Sequence, residues 1–245
     1  MDEAARRRWS AIAHHDRAFA SPLDTSRFAA LVGQLDLQPL PYSVDFGCGK
    51  GEALRTVVRE AGGTGTGIDR SAEMLAGADS LNGAITFVEA DARTWLPDRP
   101  ADLAICIGST HIFGDGAAAA AALAGLVRPG GVVLIGDGYW RDEPPPSRLE
   151  EFGMRADELV ELATLVEGIE RAGLTPVAVQ PSTLVEWDDY EWSLIRSVER
   201  WARQHPPDPD REAFLGQTRL MRDSYLQWRR EFFGFALVAG VAAGS

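Results

Sequence analysis

Residues 44–52 read VDFGCGKGE, and this stretch decides the fold of the chain. Apolar residues lead into an acid, three glycines then alternate with other residues, and a helix-forming segment follows. This order predicts a buried β-strand, a tight glycine turn and the N-terminus of a helix. Because glycine reaches positive φ and has no Cβ, a ligand can lie directly against such a turn. The free N–H groups of the following helix attract negative charge.

The spacing of the three glycines separates the candidate ligands. A phosphate-binding P-loop has Lys followed by Ser or Thr, whereas Lys50 is followed by Gly51. The dinucleotide fingerprint is Gly-x-Gly-x-x-Gly, and here the third glycine comes too early for it. The turn therefore differs from both motifs that cradle a chain of phosphates.

The composition is that of an ordinary globular protein. With 245 residues, 45% hydrophobic and 24% charged, the chain is long enough for one large α/β domain. A net charge of −12 argues against nucleic acid as the main partner, because phosphate binding requires a basic face. We expect neither a membrane span nor a signal peptide. Cys48 and Cys106 lie in apolar segments and are predicted to be buried free thiols, which favours a cytoplasmic protein.

Hydrophobic patterning predicts alternating strands and helices, as in a parallel α/β sheet. The predicted strands cover residues 42–46, 64–69, 84–89, 102–108, 132–135, 174–180 and 232–238. The predicted helices of this part of the chain cover 52–61, a segment after Ser71, 117–127 and 157–172. Residues 141–148 are rich in Pro and charge and are predicted to form a loop.

Polar side chains follow several of the predicted strands. Asp69 ends the second strand about 20 residues after the glycine turn, where a carboxylate can accept hydrogen bonds from both hydroxyls of a ribose. Asp91 follows the third strand and could contact an adenine amino group or cap the next helix. Ser109 and His111 follow the fourth strand, and ligands of open α/β sheets bind beyond these carboxyl ends.

Four of these segments together resemble the class I methyltransferases that use S-adenosylmethionine (SAM). They are the glycine turn, Gly-Ile-Asp at 67–69, Ala-Asp-Ala at 90–92 and Leu-Val-Arg-Pro-Gly-Gly at 126–131. The resemblance implies a Rossmann-like, seven-stranded, doubly wound α/β sheet, with SAM as the cofactor and S-adenosylhomocysteine (SAH) as the product. A shorter turn suits SAM, which presents a methionine carboxylate and a ribose instead of a pyrophosphate.

The resemblance also implies the cofactor contacts. Asp45 would orient the methionine amino group, Asp69 would bind the ribose and Asp91 the adenine. Lys50 could pair with the methionine carboxylate or point to solvent, and we favour the second. The predicted cofactor-binding residues are Asp45, Gly47, Cys48, Gly49, Asp69, Arg70, Asp91, Ala92, Gly108 and Ser109.

We expect one methyltransferase domain with two helical additions to its Rossmann-like core. Residues 1–38 are predicted to form an N-terminal helical cap, and residues 40–181 and 232–243 the core. Residues 182–231 are predicted to form a helical insertion of two helices, 187–204 and 210–231, before the last strand. The aromatic residues of the insertion either pack against the core or form a lid over the substrate. This layout resembles that of a group of small bacterial methyltransferases.

Methyl transfer from SAM is an in-line displacement in which positioning lowers most of the barrier. If the acceptor is a hydroxyl or a protonated amine, a general base also helps. His111 is the first candidate, with a structural or substrate-positioning role as the favoured alternative, and Asp137 after the fifth strand is the second. Tyr139, Trp140 and Trp187 are predicted to bind the substrate, and Trp140 could hold a cation over its ring. No metal site is predicted.

The sequence therefore predicts a SAM-dependent methyltransferase that acts on an oxygen or nitrogen atom of a small molecule, as a monomer or homodimer. One alternative is a SAM-binding protein with non-methyl chemistry or a non-catalytic interaction role. A less favoured one is an NAD-dependent oxidoreductase that uses Asp69 on the ribose, which the short glycine turn and Asp91 oppose. The acidic charge and the lack of an added recognition domain disfavour protein or RNA substrates.

Overall fold

A computed structural model describes residues 1–244, and within them eight strands form one sheet. Its order is β3-β2-β1-β4-β5-β8-β7, with the short β6 paired to β5. The strands are β1 (Tyr42–Phe46), β2 (Thr64–Asp69), β3 (Ile85–Glu89), β4 (Ala101–Ile107), β5 (Val127–Trp140), β6 (Val160–Glu161), β7 (Leu174–Pro181) and β8 (Phe233–Ala242).

The first five strands are parallel and β8 is antiparallel to both of its neighbours. The carboxyl ends of β1, β2 and β4 therefore meet at one edge of the sheet. The central strands are apolar because helices cover both faces, and Val44, Ile105 and Leu134 are fully buried. This is the Rossmann-like α/β architecture that the sequence predicts, with one additional two-residue strand.

Helices pack on both faces of the sheet, and additional helices precede β1 and β8. The helices are α1 (Glu3–Ala13), α2 (Thr25–Gln34), α3 (Glu52–Ala61), α4 (Ala72–Leu75), α5 (Gly116–Ala124), α6 (Pro146–Phe152), α7 (Leu162–Arg171), α8 (Leu184–Gln204), α9 (Arg211–Ser224) and α10 (Arg230–Phe232). A π-helical turn, Tyr225–Arg229, joins α9 to α10. No helix within residues 1–244 is long and apolar enough to cross a membrane.

The structure differs from the predicted elements most clearly at three places. The helix predicted at 157–172 begins only at Leu162, because Val160 and Glu161 pair with the end of β5 as a short strand. The loop predicted at 141–148 already contains the start of α6, where Pro146 occupies the first turn. The helix predicted at 210–231 is divided by the π-helical turn, whose Tyr225 and Trp228 are both buried.

The segments predicted as cap and insertion pack against each other. Trp9 and Ala13 of α1 share a buried cluster with Leu194 and Val198 of α8 and with Phe214 of α9. The Trp9 indole also donates a hydrogen bond of 3.1 Å to the Thr218 hydroxyl. The N-terminal segment is thus held on the insertion as well as on the sheet.

This contact gives a first stability prediction. We expect Trp9→Phe to lower the free energy of unfolding by about 1–2 kcal/mol, because it removes a buried hydrogen bond and part of a buried ring. Urea unfolding followed by circular dichroism measures the change. Trp192→Phe is the matched control, since the Trp192 side chain is 39% exposed. Equal losses in both variants would contradict a specific role for the Trp9 contact.

Candidate functional site

The glycine turn between β1 and α3 is built by positions that only glycine fills well. Gly47, Gly49 and Gly51 have φ of 78°, 53° and 76°, which side chains rarely adopt. A Cβ at Gly47 would also collide with Ser109, and one at Gly51 with the ring of Phe87. Gly51 is the N-cap of α3 and gives it no side-chain hydrogen bond. The first N–H groups of α3 are thus open at the carboxyl edge of the sheet, whereas most N–H groups of the turn itself are hydrogen-bonded within the protein.

Asp69 at the end of β2 fixes the geometry of this turn. Its Oδ2 accepts a hydrogen bond of 2.9 Å from the Gly49 N–H, and its Oδ1 accepts one of 2.9 Å from the Ser71 N–H. Each carboxylate oxygen can accept a further hydrogen bond. The half-buried side chain is therefore held rigidly and can still bind a pair of hydroxyl groups.

Asp45 is a buried carboxyl group without a partner. Its side chain is 3% exposed, and within residues 1–244 no hydrogen-bond donor contacts the carboxylate. Burial, and then the charge of Asp69, raise the pKa of Asp45 to about 8. A buried acid of this kind is matched by a cation with N–H donors, such as an ammonium group.

Two cavities meet at the edge of the sheet. The first, of about 120 Å³, lies between the glycine turn and residues 14–21 of the N-terminal segment. The second, of about 310 Å³, lies beyond Asp69 toward the ends of β3 and β4. Gly47, Asp69 and Ser109 line both cavities, so the two form one elongated site. Such a site suits a ligand with an amino-acid end and a nucleoside end.

Every residue predicted to bind the cofactor lines one of these cavities. Asp45, Gly47, Cys48, Gly49, Asp69, Gly108 and Ser109 line the first. Asp69, Arg70, Asp91 and Ala92 line the second, together with Gly47 and Ser109. The exposed Asp91 accepts hydrogen bonds from Arg93, which lower its pKa to about 2 and fix a local turn. Its contact with adenine stays a prediction.

Only one of the two predicted catalytic residues lines a cavity of this site. His111 is exposed and lines the second cavity. Asp137 lines neither cavity, because its side chain faces α5, where its Oδ2 would lie 2.9 Å from a Cβ at Gly116. Asp137 also accepts a hydrogen bond of 2.8 Å from the Gly138 N–H, and burial raises its pKa. Thr110, the residue before His111, also hydrogen-bonds to Asp137, and the role of Asp137 as a second base stays a prediction.

The aromatic residues predicted to bind the substrate lie outside both cavities. Trp140 donates a hydrogen bond of 2.8 Å to the Ala156 carbonyl and packs edge-on against Phe233. Tyr139 is buried, and these two residues border a separate depression near β6. Trp187 belongs to α8 of the helical insertion and is buried against the core. This packing is the alternative given for the aromatic residues of the insertion, and the contact of Tyr139 and Trp140 with the substrate stays a prediction.

The environment of Lys50 differs from both expectations. Its Nζ donates hydrogen bonds to the backbone carbonyls of His14, His15 and Arg17, at 3.0, 2.6 and 3.4 Å. It therefore neither points to solvent nor has a free donor for a carboxylate. His14, Arg17 and Phe19 line the first cavity as well, and sequence reasoning missed Arg17 and Phe19. No motif marks them, since they lie about 30 residues before the turn that they cover.

The fold and the site define a Rossmann-like protein that binds an adenosine-containing ligand with a charged amino-acid end. A family model described as a methyltransferase domain matches residues 44–131. A SAM-dependent methyltransferase from Geobacter sulfurreducens, solved with SAH, superposes with a TM-score of 0.89 at 29% identity, over 95% of this chain and 97% of that one.

Two sequence relatives extend the comparison. The Escherichia coli K12 protein YjhP is 29% identical over 239 residues, 94% of this chain and 96% of the relative. A trans-aconitate 2-methyltransferase from Paracidovorax citrulli is 33% identical over 181 residues, 72% of this chain and 66% of the relative. The chain belongs to the class I SAM-dependent methyltransferases, and SAM is its cofactor. The unpartnered Asp45 and the open N–H groups at the start of α3 fit that cofactor.

Proposed function

We propose that this methyltransferase transfers the methyl group of SAM to an oxygen or nitrogen atom of a small-molecule acceptor. The observation that supports the proposal most is a groove of about 730 Å³ between residues 16–25 and α8. Arg17, Ala18 and Phe19 line both this groove and the first cavity, so the groove borders the cofactor site. Its volume lies in the range of sites that enclose small molecules, roughly 300–1,000 Å³. We name it the acceptor groove.

The residues of the site divide the binding of SAM among them. Asp45 binds the methionine ammonium group, and the backbone N–H groups at the start of α3 bind the carboxylate. Asp69 binds the ribose hydroxyls, while Asp91 and Ala92 face the adenine. When bound, SAM supplies an electrophilic methyl group on a sulfonium. The chain therefore has mainly to align the acceptor and to exclude water.

A proton must leave a hydroxyl or ammonium acceptor, and His111 is the proposed positioning or basic residue. It stands just after Ser109, which lines both cavities. His14 is the other histidine at the site, but both of its ring nitrogens are engaged. Its Nδ1 lies 2.8 Å from the Ser10 carbonyl oxygen and its Nε2 lies 2.9 Å from the Tyr190 hydroxyl. His14 thus has a structural role.

The charges of the acceptor groove favour a polar acceptor. Arg196 and Arg200 project into it from α8 with more than half of each side chain exposed, next to Asp189 and Asp16. A guanidinium group binds carboxylates with two parallel hydrogen bonds. The trans-aconitate methyltransferases among the relatives are named for an acid, which agrees with a carboxylate on the acceptor.

An acceptor screen tests this function. Purified enzyme with SAM should form SAH only when a suitable small carboxylic acid, phenol or amine is added. For a carboxylate acceptor, we expect Arg196→Ala to raise KM for the acceptor about tenfold, while the affinity for SAM stays unchanged. Arg171→Ala, an exposed arginine on α7, is the matched control. SAH formation with protein or RNA acceptors alone would contradict the proposal.

A further inference from the structure

Residues 14–21 form a strap that lies over the methionine end of the cofactor site. The strap follows α1 and lines the first cavity with His14, Arg17, Phe19 and Ser21 among others. Phe19 and Ser21 are buried, and a Cβ added at Gly108 would lie 2.6 Å from the Ser21 hydroxyl oxygen. The strap is thus in van der Waals contact with the loop after β4.

The strap leaves little room beneath it. The first cavity measures about 120 Å³ and forms only the methionine end of the elongated site, whose other end measures about 310 Å³. The strap closes one side of this cavity. Because the strap covers this end of the site, we expect it to move when SAM enters and SAH leaves in each catalytic cycle.

Lys50 holds the strap from the inside. All three hydrogens of its ammonium group are used by the carbonyls of His14, His15 and Arg17. These carbonyls lie just beyond the C-terminus of α1, where the partial negative charge of a helix attracts a cation. Lys50 itself belongs to the glycine turn, and its own carbonyl accepts a hydrogen bond of 3.1 Å from Arg55 on α3.

Helix α8 holds the strap from the outside. Arg17 donates hydrogen bonds from Nη1 to Asp189 at 2.8 Å and to Ser193 at 3.3 Å. Asp16 accepts one of 3.1 Å from Ser197 and pairs with Arg200. These outer groups are partly exposed, so water can replace their contacts when the strap moves.

We propose that Lys50 is a positioning residue that latches the strap over the methionine end of the SAM site. The latch joins the cofactor-binding turn to the N-terminal segment, so cofactor binding and strap closure are coupled. The lysine acts through the strap and does not itself bind the methionine carboxylate. This inference concerns the cofactor site alone and stands whether or not the acceptor is a small molecule.

The chain offers a direct probe, because Lys50 is its only lysine. Limited acetylation with an N-hydroxysuccinimide ester, read by peptide mass spectrometry, reports how often its ammonium group becomes free. We expect Lys50 to react at least tenfold more slowly than a lysine in an unstructured peptide, and more slowly again with saturating SAH. The α-amino group of the chain is the internal control and should not respond to SAH. Reaction at the peptide rate, with or without SAH, would overturn the latch.

Substitution separates a latch from direct binding of the carboxylate. In the free protein, Lys50→Met should raise amide hydrogen exchange of residues 15–20 at least tenfold, and Lys50→Arg should largely restore protection. Lys50→Met should also speed SAH dissociation in stopped-flow displacement at least tenfold. Arg171→Met, which removes an exposed cation far from the strap, should change neither. Weaker SAH binding with unchanged exchange in the free protein would show direct binding and overturn the proposal.

Discussion

Asp45→Asn is expected to weaken SAM binding by about 100–1,000-fold, since truncating one partner of a buried charge pair costs roughly 2–5 kcal/mol. The same substitution should stabilise the protein without ligand. Asp45 is buried, has no hydrogen-bond donor, and has a pKa raised to about 8 by burial and by Asp69. A bound ammonium group would therefore offset the cost of burying the charged Asp45.

The sign of the stability change follows from the pKa. Because the folded-state pKa of Asp45 is above its unfolded value, its stabilising contribution is complete below about pH 4 and is lost as the pH rises to about 8. At pH 7 we therefore expect Asp45→Asn to raise the free energy of unfolding by roughly 1–3 kcal/mol, after allowing for the buried amide. Its unfolding should also depend less on pH between 4 and 8.

Thermal and urea unfolding without ligand, together with calorimetry of SAM binding, measure both effects. Asp98→Asn, at an exposed position, is the matched control and should leave stability and affinity unchanged. In the wild type at pH 7, binding of the ammonium group should release a proton from Asp45, which calorimetry in buffers of different ionisation enthalpy detects. Tight SAM binding by Asp45→Asn would show that this carboxylate does not hold the cofactor.

Asp69→Ala should cause the second large loss, with SAM and SAH binding at least 100-fold weaker. The substitution removes the proposed ribose acceptor and frees the N–H groups of Gly49 and Ser71. Loss of these two partly buried hydrogen bonds should also lower the free energy of unfolding by about 1–3 kcal/mol. Asp69→Asn should be intermediate, because the amide oxygen can still accept one of them.

Glu89→Ala is the matched control for Asp69→Ala. Glu89 stands directly beside Asp69 in the register of β2 and β3, but its side chain is exposed. We expect its affinity for SAH to equal that of the wild type. If Asp69→Ala bound SAH like the wild type, or if both variants lost binding equally, the assignment of Asp69 would be wrong.

Local sequence patterns predict much of the fold, because strands and turns depend on the conformational preferences and burial of neighbouring residues. The bounds of β1, α3 and β2 agree with the prediction, since a buried parallel strand and a glycine turn each require characteristic residues. The residues that line the cofactor cavities follow from their places at strand ends. The predicted bounds are wrong where backbone pairing between strands determines the element. One case is β6, which pairs with the end of β5 because β5 extends to Trp140.

The contacts between distant segments could not be predicted in this way. Lys50 donates hydrogen bonds to the carbonyls of His14 and His15, which lie more than 30 residues earlier in the sequence. No spacing of residues predicts this contact. The Trp140 indole likewise donates a hydrogen bond to the Ala156 carbonyl, and Asp137 hydrogen-bonds to Thr110 of the segment after β4. An aromatic or acidic residue after a strand has the same sequence signature whether it faces a ligand or a neighbouring helix.

Calorimetric titration tests the central claim most directly. SAH is titrated into the wild type, Asp45→Asn and Asp69→Ala, and NAD is titrated into the wild type. The account predicts micromolar binding of SAH by the wild type, with proton release at pH 7, and no heat from NAD. It predicts at least 100-fold weaker binding in both variants. Binding of NAD by the wild type, or SAH affinity that neither substitution changes, would contradict it.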